Sequence, residues 1–200
     1  MSGPDLSIEG DYQGHVIGVD EVGRGPLAGP VVAAAVLLDR DCIPDGIDDS
    51  KKLSAIARAR LHDELIGCAK IGIGVASVEE IDRINILQAS FLAMERAMDA
   101  LAVAPVMVLV DGNQKPRWRH PCRTVVGGDG LSLSIAAASI IAKVTRDRMM
   151  IAAHDDHPDY GWASNKGYGT PQHLDALRRF GPTAHHRRSF APVAQRFLHL

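Results

Sequence analysis

Three short apolar runs in this 200-residue chain each close on acid. Residues 15–21 (HVIGVDE) end on Asp20-Glu21, residues 106–110 run into Asp111, and residues 123–126 lead through two glycines to Asp129. Apolar, β-branched runs of this length are strands. In an open α/β sheet, strand ends line the crevice where ligands bind. Carboxylates gathered there repel one another and raise each other's pKa, so such a cluster is costly unless cations fill it. All-oxygen ligands select hard ions, which makes Mg²⁺ or Mn²⁺ the natural partner. Two such ions about 4 Å apart suit phosphoryl hydrolysis. A single acid at a strand end reads more simply as a solvated loop residue. Three runs that all end this way shift the reading to a metal site.

The remaining pattern predicts a layered domain. Residues 31–38 form a buried strand and residues 70–76 another. Ser54 caps a helix reaching about Cys68, with Ile56, Leu61 and Leu65 on one face. Ser77 and Glu80 form a capping box for a short helix. A longer helix spans 86–101, with Leu87, Phe91, Met94, Met98 and Leu101 at helical spacing. Another spans 133–154, apolar in its first half and charged over 143–148. Residues 155–166 read as a loop. Thr170-Pro171 opens a last helix that Gly181-Pro182 ends. The fold expected is α/β: a mixed central β-sheet flanked by helices over 1–154, with a small C-terminal helical extension over 155–200.

Composition sets limits. A hydrophobic share of 46% excludes a disordered chain. The longest apolar run, 31–38, is far short of a membrane span. Residues 1–14 lack the basic start and apolar stretch of a signal peptide. Three cysteines without CxxC spacing read as reduced thiols in a cytoplasmic protein. A net charge of −2 disfavours a protein that coats nucleic acid, unless its basic residues share one face.

Gly23-Arg24-Gly25-Pro26-Leu27-Ala28 matches a dinucleotide-binding fingerprint, but Pro26, Gly29 and Pro30 forbid the helix that fingerprint must open. What remains is a loop whose N–H groups can approach a ligand closely, beside an arginine. Lys51, Lys52, Lys143, Arg146, Arg148, Lys166, Arg187 and Arg188 lie nearby in the motifs as candidate phosphate contacts. Tyr168, between glycines, is a ring that could stack on a sugar or base, or a partly buried core residue. His154-Asp155-Asp156-His157 has metal-like composition but sits at a helix end, where histidine meets the dipole. His185-His186 faces phosphate or solvent. Asp147 reads as the i,i+4 partner of Lys143.

Taken together, several blocks resemble the bacterial ribonuclease HII family. They are the stretch from Val19 to Val31 (VDEVGRGPLAGPV), Asp49-Ser50-Lys51-Lys52-Leu53, residues 81–88 (IDRINILQ) and Val110-Asp111-Gly112-Asn113. Residues 134–148, Asn165-Lys166-Gly167-Tyr168-Gly169-Thr170 and His186-Arg187-Arg188-Ser189-Phe190 complete the set, in the family's order. The resemblance implies an RNase H-like fold and a Mg²⁺- or Mn²⁺-dependent endonuclease. Its substrates would be RNA/DNA hybrids and DNA duplexes containing single ribonucleotides, cut 5′ of the ribonucleotide to leave 3′-hydroxyl and 5′-phosphate ends. It assigns Asp20, Glu21, Asp111 and Asp129 as metal-binding catalytic carboxylates, with Asp147 the alternative fourth. Gly23, Arg24 and Gly25 would meet the 2′-hydroxyl and its phosphates, and Tyr168 the 2′-hydroxyl and the following deoxyribose. Lys51, Lys52, Ser139 and Lys143 would support phosphates. One departure is Gly128, where many members carry lysine. A monomer is expected. Gln195-Arg196-Phe197-Leu198 resembles the short motif of sliding-clamp partners, or is a hydrophobic end packing back.

Overall fold

The computed structural model describes residues 3–197. Five strands form one sheet: β1 Val16–Val22, β2 Val31–Leu38, β3 Ala69–Ala76, β4 Met107–Asp111 and β5 Cys122–Val125. Their order is β3-β2-β1-β4-β5. The first three pair antiparallel, and β4 and β5 add parallel to β1. The mixed α/β sheet matches expectation, with strand bounds shifted by about one residue.

Alternate side chains of each strand enter opposite layers. Ile17 and Val19 of β1, with Ala33 and Ala35 of β2, pack under α2 (Val78–Leu101). Ala34 and Val36 face α1 (Ala55–Cys68) and α3 (Leu133–Asp156). Each large apolar side chain so buried contributes about 1.5–3 kcal/mol. Helix α3 lies flush on β1, because a Cβ on Gly18 would come within 2.1 Å of the Ser134 carbonyl carbon. The buried Glu9 fixes the start of α3, accepting hydrogen bonds from Ser132 Oγ and from the Ser134 N–H and Oγ. A carboxylate there also meets the positive end of the helix dipole.

Two helices depart from the stripes expected of them. In α1, Leu61, His62 and Leu65 are buried, but Ile56 is 84% exposed. Five residues separate Ile56 from Leu61, which places them about 140° apart around the helix. In α2 the two expected helices join across a kink at Asn85, whose φ is +66°. Asn85 Oδ1 accepts the N–H groups of Leu87 and Gln88 and so starts the second segment. There Met94, Met98 and Leu101 are buried, while Leu87 and Phe91 are only half-buried.

The expected loop over 155–166 is more ordered than its polarity suggests. It holds a 3-10 turn, Pro158–Tyr160, and α4 (Trp162–Asn165), joined by Gly161 at φ +67°. The rings of Tyr160 and Trp162 stack at 5.1 Å and bury against Ala28, Met150 and Ala176. That apolar area orders the segment. Helices α5 (Pro171–Phe180) and α6 (Ala191–Phe197) follow. The Gln195–Leu198 expectation runs past the described residues. No helix among the described residues is long and apolar enough to cross a membrane.

The C-terminal segment is stitched to the glycine loop. Leu27 donates to the Gly167 carbonyl at 2.8 Å, and Arg187 N–H donates to that of Leu27 at 2.9 Å. Ala28 bridges His186.

Candidate active site

Parallel pairing of β1 with β4 sets Val19 opposite Val110, so the next residues, Asp20 and Asp111, emerge side by side. Adjacent strands lie about 4.8 Å apart, which fixes how close their side chains come. Strand β5 runs parallel beyond β4, and a 3-10 turn, Gly128–Gly130, returns Asp129 to the same edge. One carboxylate oxygen from each of Asp20, Asp111 and Asp129 lies within 4.8 Å of the others. Glu21 stands beside them on β1.

The cluster is electrostatically strained. Burial, reinforced by Glu21 and Asp111, holds the Asp20 carboxyl well above its ordinary range. Burial raises Glu21 to about 7, against the pull of Arg24, whose guanidinium donates to it at 3.3 Å. Asp111 is raised by burial and by Asp129. Backbone N–H groups and Lys51 restrain this charge. Asp20 Oδ1 accepts the Glu21 N–H, Asp111 Oδ1 accepts the Gly128 N–H, and Lys51 Nζ donates to Asp129 Oδ2 at 2.9 Å. A converging, partly buried set of carboxylate oxygens that resists ionisation without nearby positive charge fits divalent cations such as Mg²⁺ or Mn²⁺.

Asp129 rather than Asp147 joins Asp20 and Asp111. Asp147 accepts from Lys143 at 2.7 Å along α3, as its spacing predicts. At Gly128, a Cβ would meet Ile135 Cδ1 at 2.6 Å.

The glycine loop forms the adjoining wall. Gly23 has φ +109°, and a Cβ there would strike Arg146 Nε at 2.2 Å, so glycine at this position serves the fold. Gly25 differs: its Cβ would meet only Tyr168 Cε1, at an ordinary 3.5 Å. Nothing within the protein therefore requires glycine at 25. Tyr168 is 46% exposed over this loop, so it is not a core residue. Asn165 O accepts the Tyr168 N–H, and the Tyr168 carbonyl accepts from Thr170 N–H and meets His173 Nδ1 at 2.9 Å.

The basic residues divide. Lys51, Lys52 and Lys143 reach Asp129, Asp48 and Asp147 respectively. Ser139 is buried, and its hydroxyl donates to the Ala136 carbonyl within α3. Arg146 and Arg187, read from sequence among the phosphate-facing cations, are 0% exposed and donate only to backbone carbonyls. The sequence signal for Arg146 was its position in the buried α3 stripe of Ile135, Ser139, Ala142 and Met150. Arg187 carries no such signal.

The tail histidines are also internal. His186 is buried, neither phosphate-facing nor solvated, and its Nε2 meets His173 Nε2 at 3.1 Å. Thr183 N–H donates to His186 Nδ1 and Trp162 Nε1 donates to His173 Nε2. These partners require neutral rings: His186 donates from Nε2 to His173, and His173 donates from Nδ1 to the Tyr168 carbonyl. Burial, with His173 next, pulls the His186 pKa down to about 3. His157 packs edge-on against Tyr160, Trp162 and His185.

A strand-end acid cluster beside a close-approach glycine loop has relatives. The family model described as Ribonuclease HII matches residues 17–193. The Ribonuclease HII of Rhizorhabdus wittichii is 65% identical over 195 residues, covering 98% of this chain and 96% of that protein. The solved ribonuclease H2 of Pyrococcus horikoshii superposes with a TM-score of 0.76 at 26% identity, over 91% of this chain and 96% of that one. The RNase HII of Archaeoglobus fulgidus, solved as a complex with PCNA, gives 0.69 at 24% identity, over 86% and 93%. On the family match and the near full-length identity, the chain belongs to the ribonuclease HII family.

Proposed function

We propose that this ribonuclease H endonuclease hydrolyses the RNA strand of RNA/DNA hybrids and cuts 5′ of single ribonucleotides embedded in duplex DNA, leaving 3′-hydroxyl and 5′-phosphate ends. The observation that carries the reading is the juxtaposition of two surfaces. The Asp20, Asp111 and Asp129 oxygens converge at one strand edge, and the exposed Gly25 and Tyr168 lie on the adjoining loops.

Asp20, Glu21, Asp111 and Asp129 would hold two divalent ions, Mg²⁺ or Mn²⁺, which supply an activated water and charge stabilisation at the leaving 3′-oxygen. The chain's own residues do the positioning. The Arg24 and Gly25 N–H groups face the ribose and its phosphates. Gly25 lets that backbone come close, where any side chain would intervene. Tyr168 reaches the 2′-hydroxyl, the group that distinguishes RNA from DNA, and stacks on the next sugar. Lys51 and Lys52, beside Asp129, would exchange their carboxylate partners for phosphates, and Lys143 would do so on leaving Asp147. Ser139 would first have to release Ala136.

Several finer points belong to the same proposal. The enzyme works as a cytoplasmic monomer in ribonucleotide removal during DNA replication and repair. Its segment from Asp155 serves as the substrate-sensing extension, and residues 195–198 contact a sliding clamp. The Archaeoglobus relative was solved with PCNA, which fits a clamp contact by a protein of this fold.

The test is cleavage of end-labelled DNA duplexes that differ by one 2′-hydroxyl, with Mg²⁺ present or chelated. Expected is a single cut 5′ of the ribonucleotide, only with metal. Cleavage of the all-DNA duplex, or of a DNA junction lacking ribonucleotides, would contradict the reading.

A further inference from the structure

Arg146 and Arg187 form a pair of buried cations, and no carboxylate among the described residues is bonded to either guanidinium. Arg187 donates from Nε to the Gly29 carbonyl, from Nη1 to that of Arg24, and from Nη2 to those of Gly23, Gly29 and Pro30. Arg146 donates from Nε to Pro30, from Nη1 to Lys166 and from Nη2 to Ala28. Within the loop, the carbonyls of residues 23, 24, 28, 29 and 30 are thus held from the protein interior. The N–H groups of Arg24 and Gly25, by contrast, have no protein partner among the described residues. Carbonyls turned inward and free N–H groups beside an exposed glycine make a donor surface, and the guanidiniums fix its orientation. Burial, with Arg146 beside it, lowers the Arg187 pKa to about 9, so the side chain keeps its proton at neutral pH. Uncompensated buried charge is costly. Here the bonded carbonyls, the Phe190 ring 5.0 Å from the Arg187 guanidinium and the Asp82 carboxylate offset it.

We propose that Arg187, backed by Arg146, is a positioning residue for cleavage. By gripping the inner carbonyls of the glycine loop, it aims the Arg24 and Gly25 N–H groups at the phosphate and 2′-hydroxyl of the ribonucleotide. Arg187 touches no substrate atom itself. Lysine cannot replace it, because one ammonium cannot span carbonyls from Gly23 to Pro30.

This inference rests on the reading of the glycine loop as the ribose contact, and Gly25→Ala separates the two. That variant fits the fold, so a folded Gly25→Ala enzyme with wild-type cleavage would overturn the loop reading. If Gly25→Ala loses activity, Arg187→Lys and Arg187→Gln test the clamp, with kcat, KM and the salt dependence of kcat/KM measured below each variant's melting temperature on a single-ribonucleotide duplex. Expected is a fall in kcat of about 30-fold or more in both, a KM within about threefold, and an unchanged salt slope. Arg146→Lys should show a smaller loss of the same kind. Folded Arg187→Lys with wild-type kcat would overturn the clamp. So would a loss confined to KM with the salt slope reduced by about one, which marks a direct phosphate contact. If the Arg187 variants do not fold, the folded Arg146→Lys enzyme gives the same readouts, and wild-type kcat there would overturn the proposal.

Discussion

Two clusters of like charge adjoin at the glycine loop, one partly buried and one fully buried, and they are built to opposite rules. The carboxylates of Asp20, Glu21, Asp111 and Asp129 receive few hydrogen bonds. Asp20 and Asp111 each accept a backbone N–H, and Lys51 and Arg24 reach Asp129 and Glu21. The guanidiniums of Arg146 and Arg187 instead spend Nε and both terminal nitrogens on carbonyls. A like-charged cluster with open lone pairs is under strain that an incoming cation relieves. One whose donors are saturated is a frame, and removing it leaves buried carbonyls unpaired. Mutation of the two should therefore move stability in opposite directions, up at the acids and down at the guanidiniums, while activity falls in both.

The largest effect is expected at the acids. Asp111→Asn should lower turnover about a thousandfold, roughly 4 kcal/mol of transition-state stabilisation, with substrate binding still detectable by gel shift. Strong residual cleavage would mean that Asp111 is not part of the reacting centre. At the frame, Arg146→Met should destabilise the fold by about 2 kcal/mol or more, because the Ala28 and Lys166 carbonyls lose their donor at about 1–3 kcal/mol each and Pro30 keeps only the bond from Arg187. Urea unfolding measures it, and a variant as stable as wild type would refute the distinction between frame and site. Tyr168→Ala lies between these cases. Tyr168 is 46% exposed, so stability should hold while cleavage at a lone ribonucleotide falls about tenfold, in keeping with roughly 1–3 kcal/mol for aromatic stacking. Unchanged cleavage would remove the tyrosine from substrate sensing.

A separate effect is a response to acid, small in the pH range where the fold is ordinarily studied. His186 is held near 3 by burial and by His173, against about 6.5 when unfolded. Folding therefore favours the neutral ring, and this contribution is complete above pH 6.5 and lost as pH falls toward 3. Asp20, Glu21 and Asp111 are raised, so they work the other way and favour the fold as pH falls. The comparison that isolates the histidine is the pH slope of stability in wild type against His186→Asn. The variant should be less stable at pH 7.5 and lose less on acidification. Equal slopes would take His186 out of the acid response.

The acid cluster was legible in sequence because strands are short, apolar and end visibly. Parallel pairing of β1 and β4 does the rest, setting Asp20 beside Asp111 without any special contact. The frame was barely legible: the α3 stripe marks Arg146 alone, and nothing local marks Arg187. Arg146 sits in a charged segment and Arg187 in a His-His-Arg-Arg run, and both compositions ordinarily face water. Burial of a guanidinium depends on carbonyls from residues more than 100 positions away, which no local pattern encodes. The same holds for His173 and His186, whose partners assemble only when the tail returns to the glycine loop. The kink at Asn85 was half legible: the capping box and the later stripe were both visible, but not their union into α2. Ile56 shows the limit of spacing arguments, since an apolar residue near a stripe need not lie on it.

The most direct measurement is thermal melting of wild type and Asp111→Asn with and without saturating Mn²⁺. Without metal, Asp111→Asn should melt higher than wild type, because one repelling carboxylate is gone. Mn²⁺ should stabilise wild type by roughly 2–3 kcal/mol, as binding at about a hundredfold over Kd requires, and should leave the variant nearly unmoved. A wild-type protein indifferent to Mn²⁺, or an Asp111→Asn variant that melts lower than wild type in its absence, would contradict a cluster built to receive cations.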